Sequence, residues 1–122
     1  MTKALFSLIA LSSILIGCDE QKPAGNPEAV AAAQQLWDTK CSTCHGKEGR
    51  GDGEAGLVLN PRPRNFENSM WQSQADDAKL KKTIIEGGAA VGLSANMSAN
   101  PELADKPEVV DELVKKIRSF KP

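Results

Sequence analysis

Cys41-Ser42-Thr43-Cys44-His45 sets two thiols and an imidazole side by side, and it limits what the chain can fold into more than any other stretch. Residues three apart share a face of a helical turn, so both thiols can point the same way with the imidazole beside them. A zinc site wants four ligands, often two such cysteine pairs or one pair with two histidines. The chain has three Cys and one His, and His45 next to Cys44 is awkward for one tetrahedral ion. A thioredoxin-like redox pair wants a βαβ setting, and no strand pattern is visible. A plain disulfide leaves the imidazole without a task. C-x-x-C-H is the attachment motif of c-type haem. The two thiols can reach the vinyl groups on one edge of a porphyrin, while the next residue aims its imidazole at the iron. The motif therefore predicts one covalent haem c on Cys41 and Cys44, with His45 as an iron ligand.

The second iron ligand must come from elsewhere, because the only histidine is used. A thioether is expected, since His/Met ligation raises the reduction potential. Met1 falls in the N-terminal leader, which leaves Met70 and Met97. Met97 lies between residues 89 and 104, which show no apolar period. Met70 adjoins Trp71 in an apolar turn, where a flexible thioether commonly fills a gap. Met97 is the favoured ligand and Met70 the alternative.

The N-terminal stretch stands outside the domain. Lys3 gives it a positive start, 4–16 is apolar apart from three serines, and Gly17-Cys18 closes it. This run is shorter than the ~20 apolar residues a membrane span needs, and it has the plan of a secretory signal peptide. Leu15-Ile16-Gly17-Cys18 resembles the bacterial lipobox. The resemblance implies a signal over 1–17, a lipidated Cys18, and attachment to a membrane through that lipid. Asp19 resembles an inner-membrane retention signal, so the expected location is the periplasmic side of a bacterial membrane, with the inner membrane favoured. Residues 18–26 form the anchor and a polar linker, whose last eight residues reach ~25–30 Å when extended. Residues 27–122 form the domain. Loss of Lys3 and no acid moves the formal charge from -1 to -2. That balance argues against nucleic acid, which wants a basic stripe.

Within the domain the pattern is all-α. Asn26-Pro27 suits a helix start, and Val30, Ala33 and Trp37 share a face of a helix running into Cys41. A glycine-rich loop over 46–56 follows, then extended backbone at Pro61 and Pro63. Its Gly51-Asp-Gly-Glu-Ala-Gly56 fits G-x-G-x-x-G but lacks the strand and helix that a dinucleotide site needs. A short helix holds Trp71. Ser73 with Asp76 reads as a start for the next helix, which carries Leu80 and Ile84 and stops at Gly87-Gly88. Residues 89–104 read as a structureless loop. Asp105-Pro107 opens a last helix whose apolar face is Val110, Leu113, Val114 and Ile117. Outside the leader the only aromatics are Trp37, Phe66, Trp71 and Phe120, so a buried cofactor would supply missing apolar bulk.

Cys41-Ser-Thr-Cys-His-Gly46, with Gly49, Gly51-Asp-Gly53 and Gly56, resembles the start of small bacterial class I cytochromes c. Asn60-Pro-Arg-Pro-Arg-Asn-Phe66, Glu86-Gly-Gly88 and Gly92-Leu-Ser-Ala-Asn-Met97 are similar to that family's haem-wrapping segments. The resemblance runs from about Glu28 to Phe120. It implies a cytochrome c-like fold in which the first and last helices cross beside the haem, at Trp37 and Leu113. It also implies a proline carbonyl as the hydrogen-bond acceptor of the His45 ring. Pro63 is chosen over Pro61, and Trp71 or Arg64 could donate to a haem propionate. Two departures stand out. The family's frequent Met-Pro reads Met97-Ser98, and Lys116 replaces an aromatic often found after Leu113, which suggests looser helix packing.

With both axial positions filled, no site remains for a substrate, so the chain is expected to be an electron carrier and not an enzyme, passing single electrons to other redox proteins. One alternative is a haem-containing subunit or sensor in which Met97 leaves the iron to a small ligand. Another is a dithiol oxidoreductase using Cys41 and Cys44.

Overall fold

A computed structural model describes residues 25–122. The expected leader over 1–17, Cys18 and most of the linker lie outside the described residues. Asn26 opens the first helix, α1 (Pro27–Leu36), by accepting the Glu28 amide at 3.1 Å on Oδ1. Pro27 follows in the first turn, where its missing N–H is no loss. The buried row is Ala29, Ala33 and Trp37, not the expected Val30, Ala33 and Trp37: Val30 is 44% exposed. Ala29 and Ala33 lie four apart on one ridge, and their small side chains bring α1 close to the last helix, its main packing partner.

The chain continues without a break through one π-helical turn, Trp37–Cys41, into a short helix, α2 (Ser42–His45). The widened turn is visible in the Ser42 amide, which donates to the carbonyl of Trp37 five residues back. The hydroxyls of Thr39, Ser42 and Thr43 bond back to the carbonyls of Gln35, Asp38 and Lys40 at 2.7, 3.1 and 2.5 Å. Such local bonding satisfies carbonyls that a regular helix would pair with amides.

Asn68 caps α3 (Ser69–Gln74) by accepting the Trp71 amide at 2.8 Å. Asp76 does the same for α4 (Asp77–Glu86) with the Lys79 amide, also at 2.8 Å. Ser73 is not part of that start: its hydroxyl donates to the Met70 carbonyl inside α3. Gly87 ends α4 at φ +83°, a backbone region open chiefly to glycine.

The last helix, α5 (Pro107–Ser119), begins after Lys106 with no side-chain cap, so Asp105 does not cap it. Its buried stripe is Val109, Val110, Leu113, Val114 and Ile117. α5 packs on α1 and on α4, and Asn26 Nδ2 ties the starts of α1 and α5 through Glu108 Oε2 at 2.7 Å. The first and last helices therefore meet as the resemblance implies. Near Lys116 an aromatic is contributed from elsewhere on the chain. Phe120 supplies an aromatic 5.1 Å from the Trp37 ring, and the Lys116 ammonium sits 5.3 Å above the Phe120 ring. Among the described residues there is no strand, and no helix is long and apolar enough to cross a membrane.

The segment over 89–104 is ordered by contacts, contrary to its structureless reading. It has 3-10 turns at Ala89–Val91 and Pro101–Leu103. The Asn100 amide donates to the Ile85 carbonyl at 2.9 Å, Asn100 Nδ2 donates to the Ile84 carbonyl at 2.6 Å, and Leu103 is buried in the core. Side-chain-to-backbone bonds of this kind leave no mark in a hydrophobic period.

Candidate functional site

Cys41, Cys44 and His45 share one continuous helical run whose register is set by the π turn. Such turns concentrate at functional sites because one extra residue re-aims the side chains that follow. Both thiols are free and half-buried. The helix stops at Gly46, and the chain folds back so that Gly53 presses on the turn. A Cβ at Gly53 would lie 2.5 Å from the Ser42 and Thr43 carbonyl oxygens and 2.7 Å from the Cys44 carbonyl carbon. The Gly53 amide donates to the Cys44 carbonyl at 3.2 Å. Gly53→Ala is therefore expected to spread this turn and to destabilise the matured protein by at least the ~1–3 kcal/mol typical of overpacking. A wild-type melting temperature in that variant would contradict the close approach.

The His45 ring is held on two sides. Its Nδ1 lies 3.3 Å from the Arg64 carbonyl oxygen. A carbonyl only accepts, so Nδ1 carries the proton and Nε2 is the nitrogen left to a metal. The acceptor is thus Arg64 and not Pro63. The Pro63 carbonyl is instead turned onto Gly51, and the next carbonyl, that of Arg64, reaches the imidazole. Phe66 stacks on the imidazole at 4.6 Å between centroids and 18° between planes. Burial lowers the His45 pKa, against a smaller opposing effect of the Arg64 carbonyl. That direction favours the neutral ring a metal ligand needs.

Burial raises the Cys41 thiol pKa, with Lys40 opposing it more weakly. A catalytic dithiol instead relies on a depressed pKa that exposes thiolate, so the direction at Cys41 does not favour that use. Among the described residues no three His, Cys, Asp or Glu side chains come together as a metal cage. Free thiols three apart, followed by an oriented neutral imidazole, fit covalent haem.

Met97 stands on a separate segment seated on the end of α4. Its carbonyl accepts the Gly88 amide at 2.9 Å, and its own amide donates to the Ser94 carbonyl at 3.1 Å. Gly88 has ordinary helical angles. It must be small because a Cβ there would strike the Ser94 carbonyl oxygen and stand 3.1 Å from Met97 Cβ. Met97 is half-buried, whereas Met70 is 70% exposed and fills no gap in the core. Pro63 packs its ring against Gly56. Arg64 lies over Trp71, 5.8 Å from the ring centroid.

Sequence reasoning missed the cluster behind the imidazole. Trp37 approaches His45 at 6.4 Å and Phe66 at 6.2 Å, while Phe66 meets Trp71 at 5.2 Å and Phe120 at 6.4 Å. All four aromatics of the described residues thus gather at the ligand candidate. Their spacing along the chain shows no period, so only their small number hinted at a shared task.

The family model described as cytochrome c matches residues 30–119. A solved structure of the KustC0563 c-type cytochrome is 30% identical, covers 74% of this chain and 98% of that one, and superposes with a TM-score of 0.55. The cbb3-type cytochrome c oxidase subunit FixP of Azorhizobium caulinodans is 28% identical over 67 residues, 55% of this chain. That match spans 21% of the subunit's own length.

Proposed function

We propose, on the premise that this chain belongs to the cytochrome c family, whose cofactor is covalent haem c with its iron, that it carries single electrons between redox proteins at the periplasmic surface of a bacterial membrane. In this reading Cys41 and Cys44 would hold the haem covalently as thioethers, and His45, through Nε2, and Met97 would hold its iron. When bound, the haem supplies a one-electron couple. The protein's part is to hold that couple still. The Arg64 carbonyl fixes the tautomer and direction of His45, as partners of metal-bound histidines generally do, and the Gly88 seat fixes Met97. Two protein ligands leave no position for substrate, which favours a carrier over an enzyme.

The observation that carries the reading is His45 Nδ1 on the Arg64 carbonyl, 3.3 Å away, on the same helical run as two free thiols. The location rests on the sequence before residue 25, with Cys18 as lipid anchor and the inner membrane favoured. A relative that is by name a subunit of an oxidase supports other redox proteins as partners. Acid-acetone extraction of the matured protein tests the attachment. The haem should stay with the polypeptide, and its passage into the solvent would refute the thioethers. Loss of membrane association in Cys18→Ala would bear out the anchor, and unchanged partition would refute it.

A further inference from the structure

Gln72 is one of the few polar side chains in the core, 4% exposed, and the electron-carrier reading gives it no role. Its amide is fully used. Nε2 donates to the Phe66 carbonyl and to the Ile117 carbonyl, both at 2.8 Å. Oε1 accepts from Arg118 Nη1 at 3.0 Å, and the same nitrogen donates to the Gln72 backbone carbonyl at 2.7 Å. Arg118 is itself fixed. Its Nη2 donates to the Ala75 carbonyl at 2.6 Å, and its Nε to Asp77 Oδ1 at 2.9 Å. One guanidinium thus locks α3, the start of α4 and α5 around a single buried amide.

What the amide holds is the segment facing His45. Phe66 is pinned from both sides, its N–H on the Gly49 carbonyl at 2.7 Å and its C=O on Gln72. Its ring is stacked on the imidazole, and the carbonyl two residues earlier, on Arg64, meets Nδ1. The nearest stacked ring and the Nδ1 acceptor therefore both come from residues 64–66, and Gln72 holds that stretch from behind. We infer that Gln72, clamped by Arg118, is a positioning residue that sets the rotation of the His45 ring through Phe66. Removing its donors leaves the buried Phe66 carbonyl without a partner and the Ile117 carbonyl with the Phe120 amide alone, at 3.4 Å. An unsatisfied buried carbonyl is costly, so the stretch at Phe66 must move to find another donor. This inference rests on His45 being the iron ligand.

The ferric matured protein tests it by proton NMR, because the spread and order of the hyperfine-shifted haem methyl signals follow the axial ligand planes. Gln72→Met keeps the volume and removes both donors. Arg118→Met frees Oε1 and leaves the donors in place. Val110→Ala weakens the core and removes none of the side-chain hydrogen bonds made at residues 64–66 or by Gln72. The expected result is a reordered methyl pattern in Gln72→Met, a smaller change of the same kind in Arg118→Met, and a wild-type pattern in Val110→Ala at comparable loss of thermal stability. Should Gln72→Met yield no matured protein, Arg118→Met decides alone. A wild-type pattern in the variants that mature would overturn the inference, and so would the same change in Val110→Ala. A wild-type protein whose spectra show no histidine-ligated iron would overturn the functional reading too, so the two failures are distinguishable.

Discussion

Replacing Cys41 and Cys44 together by alanine is expected to give a chain that retains no haem on a denaturing gel and unfolds without a sharp transition. Among the described residues the buried apolar set is mostly Ala, Val, Leu and Ile, with Trp37 and Phe66 as its aromatics. Several large apolar side chains face outward, including Leu57 at 48%, Val58 at 85% and Leu93 at 54% exposure. A domain of this size has a net stability of only ~5–15 kcal/mol, and losing a large apolar cofactor is expected to remove most of it. Helices can persist in part, but side-chain packing should not. Far-ultraviolet and near-ultraviolet circular dichroism during a melt check the outcome. Wild-type helicity with a cooperative transition would show that the aromatic cluster and the α1–α5 contact suffice by themselves.

Replacing Met97 by alanine is expected to open the iron while leaving the haem in place, since Cys41, Cys44 and His45 are untouched. The reduction potential should fall by on the order of tenths of a volt, within the ~0.8 V that axial ligands span, because a thioether favours the reduced iron. Carbon monoxide should bind the reduced variant and not the wild type. Hydrogen exchange should quicken across 89–104, but only partly. The Asn100 bonds to the Ile84 and Ile85 carbonyls and the buried Leu103 do not depend on the thioether. Met70→Ala should leave spectrum and potential unchanged. With Met70 70% exposed, its cost in stability should stay within about 0.5 kcal/mol. The reverse pattern, in which Met70→Ala opens the iron, would move the ligand to Met70. Carbon monoxide binding by the wild type would favour the small-ligand alternative.

The places where the structure departs from the sequence reading share a cause. Val30 and Ala29 are neighbours on a helix, and which of them faces inward depends on how closely α5 approaches. Pro63 and Arg64 are neighbours in the chain, and the close contact of the Pro63 carbonyl with Gly51 leaves the Arg64 carbonyl to the ring. Residues 89–104 lack a period because they are ordered through backbone bonds to the end of α4. Gln72 gave no signal, since a buried amide is justified only by partners at 66, 117 and 118, and these come together in the folded chain alone.

What the sequence by itself determined is whatever chemistry or geometry keeps within a few residues. The attachment motif at Cys41 to His45 is of this kind, as are the start at Asn26-Pro27, the stop at Gly87 and the apolar stripe of α5. Each follows from covalent spacing, cap chemistry or the helical period, and none needs a distant partner. Tertiary structure alone decided which carbonyl meets His45, which ring stacks on it, what seats Met97, and which buried amide stands behind Phe66. Those are contacts between residues far apart in the chain, chosen by close packing of whole elements. A difference of one residue or one methyl group there changes the partner without changing the local pattern.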